Sequence, residues 1–172
     1  VQKRGELMSQ ATGGSMAAVI GLTSEQIRDV ILLHGNTKVT IANLNAPQQT
    51  VISGSEEAID AIKPSIEAAG ARTFIPLKVS GAFHSRFMKP ARMEFEAYLK
   101  QFTFDQPSIP VISNVEALPY PPDAVADLLA QQITSPVRWV NTINYLLNQP
   151  NPSIEEIGPG NILKGLIRQI CA

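Results

Sequence analysis

His84 stands in Gly81-Ala82-Phe83-His84-Ser85-Arg86-Phe87, between an apolar stretch over residues 74–80 that reads as a strand and a helical pattern over residues 86–101. Strand-to-helix loops on rigid scaffolds are where reactive groups concentrate. Imidazole is the side chain best matched to moving protons near neutral pH, so His84 is the candidate general base. The plain alternative is a histidine that fills a turn. The other histidine, His34, follows an apolar run and precedes Gly35, which suits a helix C-terminus and nothing reactive. No second histidine lies near His84 and Cys171 alone makes no ligand set, so no metal site is expected.

A base needs a nucleophile or a water. Ser80 and Ser85 flank His84 too closely in sequence to be its obvious partner, and Ser85 is placed to cap a helix start. No Gly-x-Ser-x-Gly nucleophile elbow occurs in the chain. Arg4, beside Gly5, can hold a carboxylate through two parallel hydrogen bonds, although an arginine on an amphipathic helix is often simply solvated. Asn43, Asn45 and Gln48 read as a polar turn that can position a ligand or merely build itself. Gly158-Pro159-Gly160 lacks the spacing and lysine of a phosphate loop and is read as a chain reversal.

The elements that must carry these residues fall into two groups. Residues 16–20 form a short apolar run. Thr23 or Ser24 caps a helix over residues 25–33, and strands follow at 38–41 and 50–53, joined by the turn at 43–48. Ser55 caps a second helix with an apolar stripe of Ala58, Ile59, Ile62, Ile66 and Ala69, and a strand over 72–79 completes β-α-β-β-α-β. That order is the ferredoxin-like arrangement, two helices over one antiparallel sheet. Beyond it come a helix carrying Met88, Met93, Phe95 and Leu99, a proline-bounded strand at 107–114, helices at 122–133 and 137–147, a strand at 154–157, and an Asn161-capped helix. Strands alternating with helices suggest the edge of a parallel α/β sheet, with too few strands to make one. The small lobe is thus expected to be an insertion in a larger α/β body. Residues 1–12 are a helix of that body, 13–78 the ferredoxin-like lobe and 79–172 the rest. Both ends read as cut from something longer.

With 172 residues, 44% hydrophobic, the chain can bury a core. Its 14 basic and 15 acidic residues are interspersed and sum to −1, which offers no patch for nucleic acid. No run approaches the roughly 20 apolar residues of a membrane helix, and the single Cys171 has no internal partner. A soluble, cytoplasmic protein is the expectation.

Taken together the segments resemble the malonyl-CoA:acyl-carrier-protein transacylases of fatty acid synthesis and the acyltransferase domains of polyketide synthases. The matching stretches include Arg4-Gly5-Glu6-Leu7-Met8, Ala42-Asn43-Leu44-Asn45-Ala46-Pro47-Gln48, Gly81-Ala82-Phe83-His84-Ser85, Met88-Lys89-Pro90-Ala91, Ser135-Pro136-Val137-Arg138-Trp139 and Glu156-Ile157-Gly158-Pro159-Gly160. They occur in consistent order over nearly the whole chain. The resemblance implies an α/β-hydrolase-like large subdomain with an inserted ferredoxin-like lobe. It implies a ping-pong transfer of malonyl from coenzyme A, through a serine, to the phosphopantetheine thiol of an acyl carrier protein. No permanently bound cofactor is implied; the coenzyme A thioester is substrate. By the same resemblance His84 matches the histidine that activates the serine and Arg4 the arginine that pairs with the malonyl carboxylate. Gln132 matches a glutamine whose main-chain carbonyl orients the imidazole, and Asn43 and Asn45 match polar residues lining the cleft between lobes.

The chain departs from the family pattern in lacking the Gly-His-Ser-x-Gly elbow and the Gln-Gly segment that helps form the oxyanion hole. Each hole donor is worth roughly 3 kcal/mol, so this polypeptide alone is expected to be inactive, its missing N-terminal part being a needed partner. In related polyketide domains phenylalanine before the histidine accompanies malonyl selection, and Phe83 stands there. Excluding one methyl is worth about 1–3 kcal/mol. Two other readings stay open: a serine hydrolase of the same superfold, and a catalytically silent acyltransferase-like scaffold.

Overall fold

A computed structural model describes residues 1–35 and 38–172. Helix α1 (Gln2–Gln10) leads into β1 (Ser15–Ile20), and α2 (Ser24–Leu33), β2 (Val39–Ala46), β3 (Gln49–Gly54), α3 (Glu56–Ala68) and β4 (Thr73–Pro76) follow. The four strands stand in the order β2-β3-β1-β4 and every neighbouring pair is antiparallel. This is the ferredoxin-like arrangement expected from the alternation of elements. Thr23 makes the first cap: its hydroxyl accepts from Gln26 N while the Gln26 side chain accepts from Thr23 N, a reciprocal capping box. Ser55 caps α3 in the simpler way, through Ala58 N.

Strand periodicity splits the sheet into two apolar faces. Ala17, Val19, Ile41 and Ile52 turn toward the helices and close a core with Ile27, Ile59, Ile62 and Ile66. Met16, Ala18, Ala42 and Val51 form the opposite face, against which Leu77 and Phe83 pack. Ala69, expected in the stripe of α3, is instead its exposed C-cap.

Several boundaries differ from the sequence expectation. The turn placed over residues 43–48 shrinks to Pro47 and Gln48, because β2 runs on to Ala46. Asn43 and Asn45 therefore lie half-buried on a strand. Register shifts between Ile41 and Asn43 and between Leu44 and Ala46 absorb them, as bulges on an edge strand commonly do. The strand expected over 72–79 stops at Pro76, next to which only Leu77 N still reaches Met16 O, at 2.9 Å.

After β4 the chain is helical. A 3₁₀ turn (Arg86–Met88) runs into α4 (Lys89–Leu99), and α5 (Val125–Gln131), α6 (Trp139–Leu147) and α7 (Ile162–Cys171) follow. Helices α5 and α6 are shorter than their periodicity suggested. Leu7 and Met8 of α1 pack with Met88, Ala91, Phe95 and Leu99 and with Ala130 and Ile133 beyond. The strands expected at 107–114 and 154–157 are not formed: among the described residues the first makes only an isolated bridge, Ile112 to Pro119, and the second none. In the first, Pro107 and Pro110 remove donors a ladder needs. Asn161 does occupy the N-cap of α7 but makes no capping bond. Glu156 supplies it, its two carboxylate oxygens accepting from Leu163 N at 3.1 Å and Lys164 N at 2.9 Å.

Candidate active site

The loop that carries His84 is fixed from three sides. Gly81 lies so close to the end of α1 that a Cβ there would come within 2.5 Å of Ala11 O, a backbone atom. Gly14, just before β1, would place a Cβ 2.5 Å from Ala82 Cβ and 2.8 Å from Ala82 N. Both positions need the absence of a side chain, so the α1–β1 connection and the histidine loop are in direct contact. Ser85 is fully buried; its hydroxyl donates to Ala82 O and accepts from Phe87 N, tying the loop to the 3₁₀ turn. Within this brace His84 takes φ of +56°, the left-handed region. For a non-glycine residue that conformation costs about 1–3 kcal/mol and persists only where the surroundings enforce it.

The strain aims the ring. His84 Nδ1 lies 3.0 Å from Gln132 O and 3.0 Å from Ser135 O. A carbonyl can only accept, so Nδ1 carries the proton in both contacts and donates. In the neutral imidazole the lone pair is then on Nε2. Both carbonyls come from the chain leaving α5, where Gln132 is the C-cap. Their negative ends hold the ring by Nδ1, as a carboxylate holds a histidine in a triad. Burial holds the His84 pKa below the ordinary imidazole value; the two carbonyls oppose that shift and the charge of Arg4 adds to it. Burial and charge together favour the neutral ring.

Arg4 lies on α1, close enough for its charge to act on His84. It is half-buried, with Nε desolvated and without a protein partner among the described residues. Burial lowers its pKa from an ordinary value high enough that the guanidinium stays charged. A cation held this way, with spare donors, suits an anionic ligand.

Phe83 is half-buried between the α1–α4–α5 cluster and the lower face of the sheet, a packing bridge beside the imidazole. Asn43 reaches the same neighbourhood through its backbone. Val137 bridges it in parallel, with Leu44 N donating to Val137 O at 2.9 Å and Val137 N donating to Ala42 O at 2.8 Å. Asn45 is half-buried two residues further along β2. Ser135 was part of a family-like stretch in the sequence but was given no role there. The proline after it was the available sign, since a pre-proline residue is pushed into extended backbone and ends a helix. Among the described residues no group of acidic, histidine and cysteine side chains is placed to hold a metal ion.

Residues 1–169 match the acyl transferase domain family, and the chain belongs to it. A polyketide biosynthesis malonyl CoA-acyl carrier protein transacylase of Bacillus velezensis is 52% identical over 171 residues, which are 99% of this chain and 59% of that protein. The crystal structure of a malonyl CoA-acyl carrier protein transacylase from Burkholderia pseudomallei superposes with a TM-score of 0.92 at 44% identity, over 99% of this chain and 60% of that one. A type II polyketide acyl carrier protein in complex with its malonyl-transacylase gives 0.91 at 35% identity, over 97% and 56%. The mixed α/β fold with its small antiparallel sheet is therefore the acyltransferase fold. The chain spans about three fifths of the length of these relatives.

Proposed function

We propose that the complete protein carrying this chain moves a malonyl group from coenzyme A to the phosphopantetheine thiol of an acyl carrier protein. The single observation that carries the reading is the imidazole of His84 with Nδ1–H pinned between two carbonyls and Nε2 left basic. In this scheme Nε2 takes the proton of a serine hydroxyl supplied by the rest of the protein. The serine oxygen attacks the thioester carbon, and collapse of the tetrahedral adduct expels the coenzyme A thiolate, which takes the proton back from the imidazolium. The carrier thiol then repeats the sequence in reverse and receives the acyl group. Gln132 and Ser135 act through their carbonyls as positioning residues.

Arg4 is assigned to the free malonyl carboxylate, for which its unpartnered Nε supports the choice. Phe83 is assigned to the wall beside the acyl α-carbon, where bulk disfavours a methyl branch. Asn43 and Asn45 are assigned to the cleft between the lobe of residues 13–78 and the body of residues 1–12 and 79–172. The relatives' names support malonyl transfer in polyketide biosynthesis, and we place the activity in the cytoplasm. No described helix is long and apolar enough to cross a membrane.

The test is Arg4→Ala in the complete protein, with malonyl- and acetyl-CoA as donors. Losing a charge-assisted clamp should lower kcat/KM for malonyl by about 10²-fold while acetyl transfer changes little. Equal loss for both donors would make Arg4 a structural residue. Release of free malonate without labelling of the carrier would favour a hydrolase instead.

A further inference from the structure

We infer that Thr134, held in place by Arg92, is a positioning residue for the His84 imidazole, an inference that rests on the base role proposed above. The two carbonyls that accept from Nδ1 belong to Gln132 and Ser135. Thr134 stands between them, in the short turn that follows α5. The turn is wound around Gln131 O, which accepts from Thr134 N at 3.1 Å and from Ser135 N at 3.0 Å. The Thr134 hydroxyl is directed at the same oxygen, at 3.3 Å. A carbonyl has two lone pairs, and two backbone donors already meet them. Satisfying Gln131 O is therefore not what the hydroxyl adds.

What it adds is a handle. Arg92 Nη1 donates to Thr134 Oγ1 at 3.3 Å, across 42 positions of sequence. Arg92 is half-buried on α4, next to Ala91, and Ala91 and Phe95 share a core cluster with the fully buried Ile133. The polar tie thus runs alongside an apolar contact between the same two segments. Glu96 lies one turn further along α4 and lines the same groove as Arg92 and Thr134. Opposite charges four apart on a helix are neighbours and pair readily. Yet Arg92 enters no ion pair among the described residues. Its guanidinium turns to a neutral hydroxyl instead.

The arrangement closes a ring of contacts. Ser85, directly after His84, locks the histidine loop to the 3₁₀ turn through its buried hydroxyl. That turn runs straight into α4. Arg92, about two helical turns beyond Ser85, then reaches back to the turn whose carbonyls hold the imidazole. Base and acceptors are thereby fixed to one strut. Val137, the other polar tie of this stretch, bonds to β2 in the lobe. Only the tie through Thr134 joins the carbonyls to the helix that also carries the histidine loop. Misplacing a reacting group by about 1 Å can lower a rate by about 10²-fold, so a tie of this kind matters to the rate.

The experiment uses the complete protein with malonyl-CoA and reads the rate of self-malonylation. Thr134→Val keeps the side-chain shape and removes the hydroxyl, and Arg92→Met keeps the stem and removes the donor. Each should lower the maximal rate about tenfold with the KM for malonyl-CoA unchanged, because the substrate's own contacts are intact. The double variant should be no slower than either single one, since both cut the same link. Thr134→Ser, which retains the hydroxyl, should recover most of the rate. With ¹⁵N-labelled histidine, the His84 Nδ1–H proton should exchange with water faster in both single variants than in the unaltered protein. A Thr134→Val protein with unchanged rate or unchanged exchange overturns the inference, as do losses that multiply in the double variant. So does a Thr134→Ser protein as slow as Thr134→Val, which would make the threonine methyl the part that matters. The exchange readout needs no turnover: an unaltered protein that never takes up malonyl defeats the transfer reading, and the proton alone then decides the positioning.

Discussion

In the ferredoxin-like lobe the ladder and the core reinforce each other. Every strand has a hydrogen-bonded neighbour, and Ile27 of α2 with Ile59, Ile62 and Ile66 of α3 is sealed against one sheet face, although Leu32 and Leu33 at the end of α2 stay exposed. The helical body that follows is built otherwise. Its cluster around Met88 and Phe95 is closed, but Ile109, Val111, Ile157 and Ile162 face water, at 75%, 50%, 92% and 76% exposure. The histidine loop belongs to this body, yet it owes its shape to contacts with Ala11 and Gly14 of the α1–β1 connection, and Val137 beside it is bonded to β2. One region is thus organised by its own burial, and the other borrows order where chemistry needs it.

The sharpest way to test that division is His84→Gln in the complete protein. It removes the proposed base and should lower kcat/KM by about 10²–10⁴-fold, with the thermal melt of the lobe unmoved. A pH series belongs with it. Burial favours the neutral ring, so the acid limb of the wild-type rate profile should fall below the ordinary imidazole pKa of about 6.5. The linked stability is fully present above that unfolded-state value and is lost as pH drops through the folded one. Both signatures should vanish in the variant. An acid limb above 6.5 would mean that the ring is not held neutral.

Next in size is Ile62→Ala. Ile62 is fully buried in the lobe core, and the truncation should cost about 2–5 kcal/mol, read by denaturant unfolding. Hydrogen exchange should rise first in β1 and β3, while the α1–α4 cluster keeps its protection. Exchange rising equally in both regions would erase the distinction between them. The smallest effect belongs to Glu156→Ala, which frees two backbone donors of α7 and should cost about 1 kcal/mol. Fraying there should leave the lobe's exchange unchanged.

What could be read in advance follows the same division. The lobe's elements are legible because short apolar runs are separated by capped helices, with the pairing partners all within about sixty residues. Asn43 and Asn45 misled because polar residues suggest a turn, whereas an edge strand with bulges tolerates them. In the body, the runs at 107–114 and 154–157 have the composition of strands, but a strand is a relation between neighbours and its ladder is not written in its own residues. At the site, His84 stood out by residue type and loop position. Gln132 was reached only through the family resemblance, and Ser135 stood in a matching stretch without a role, because a carbonyl is common to every residue and carries no signature.

The parallel bridge at Val137 has a mechanical consequence. Val137 is gripped by β2 through both its N–H and its C=O, and two residues earlier the Ser135 carbonyl grips the imidazole. A tilt of the small sheet relative to the helices pulls on that same short tether. The edge of the sheet and the orientation of the imidazole are therefore coupled through three residues of backbone.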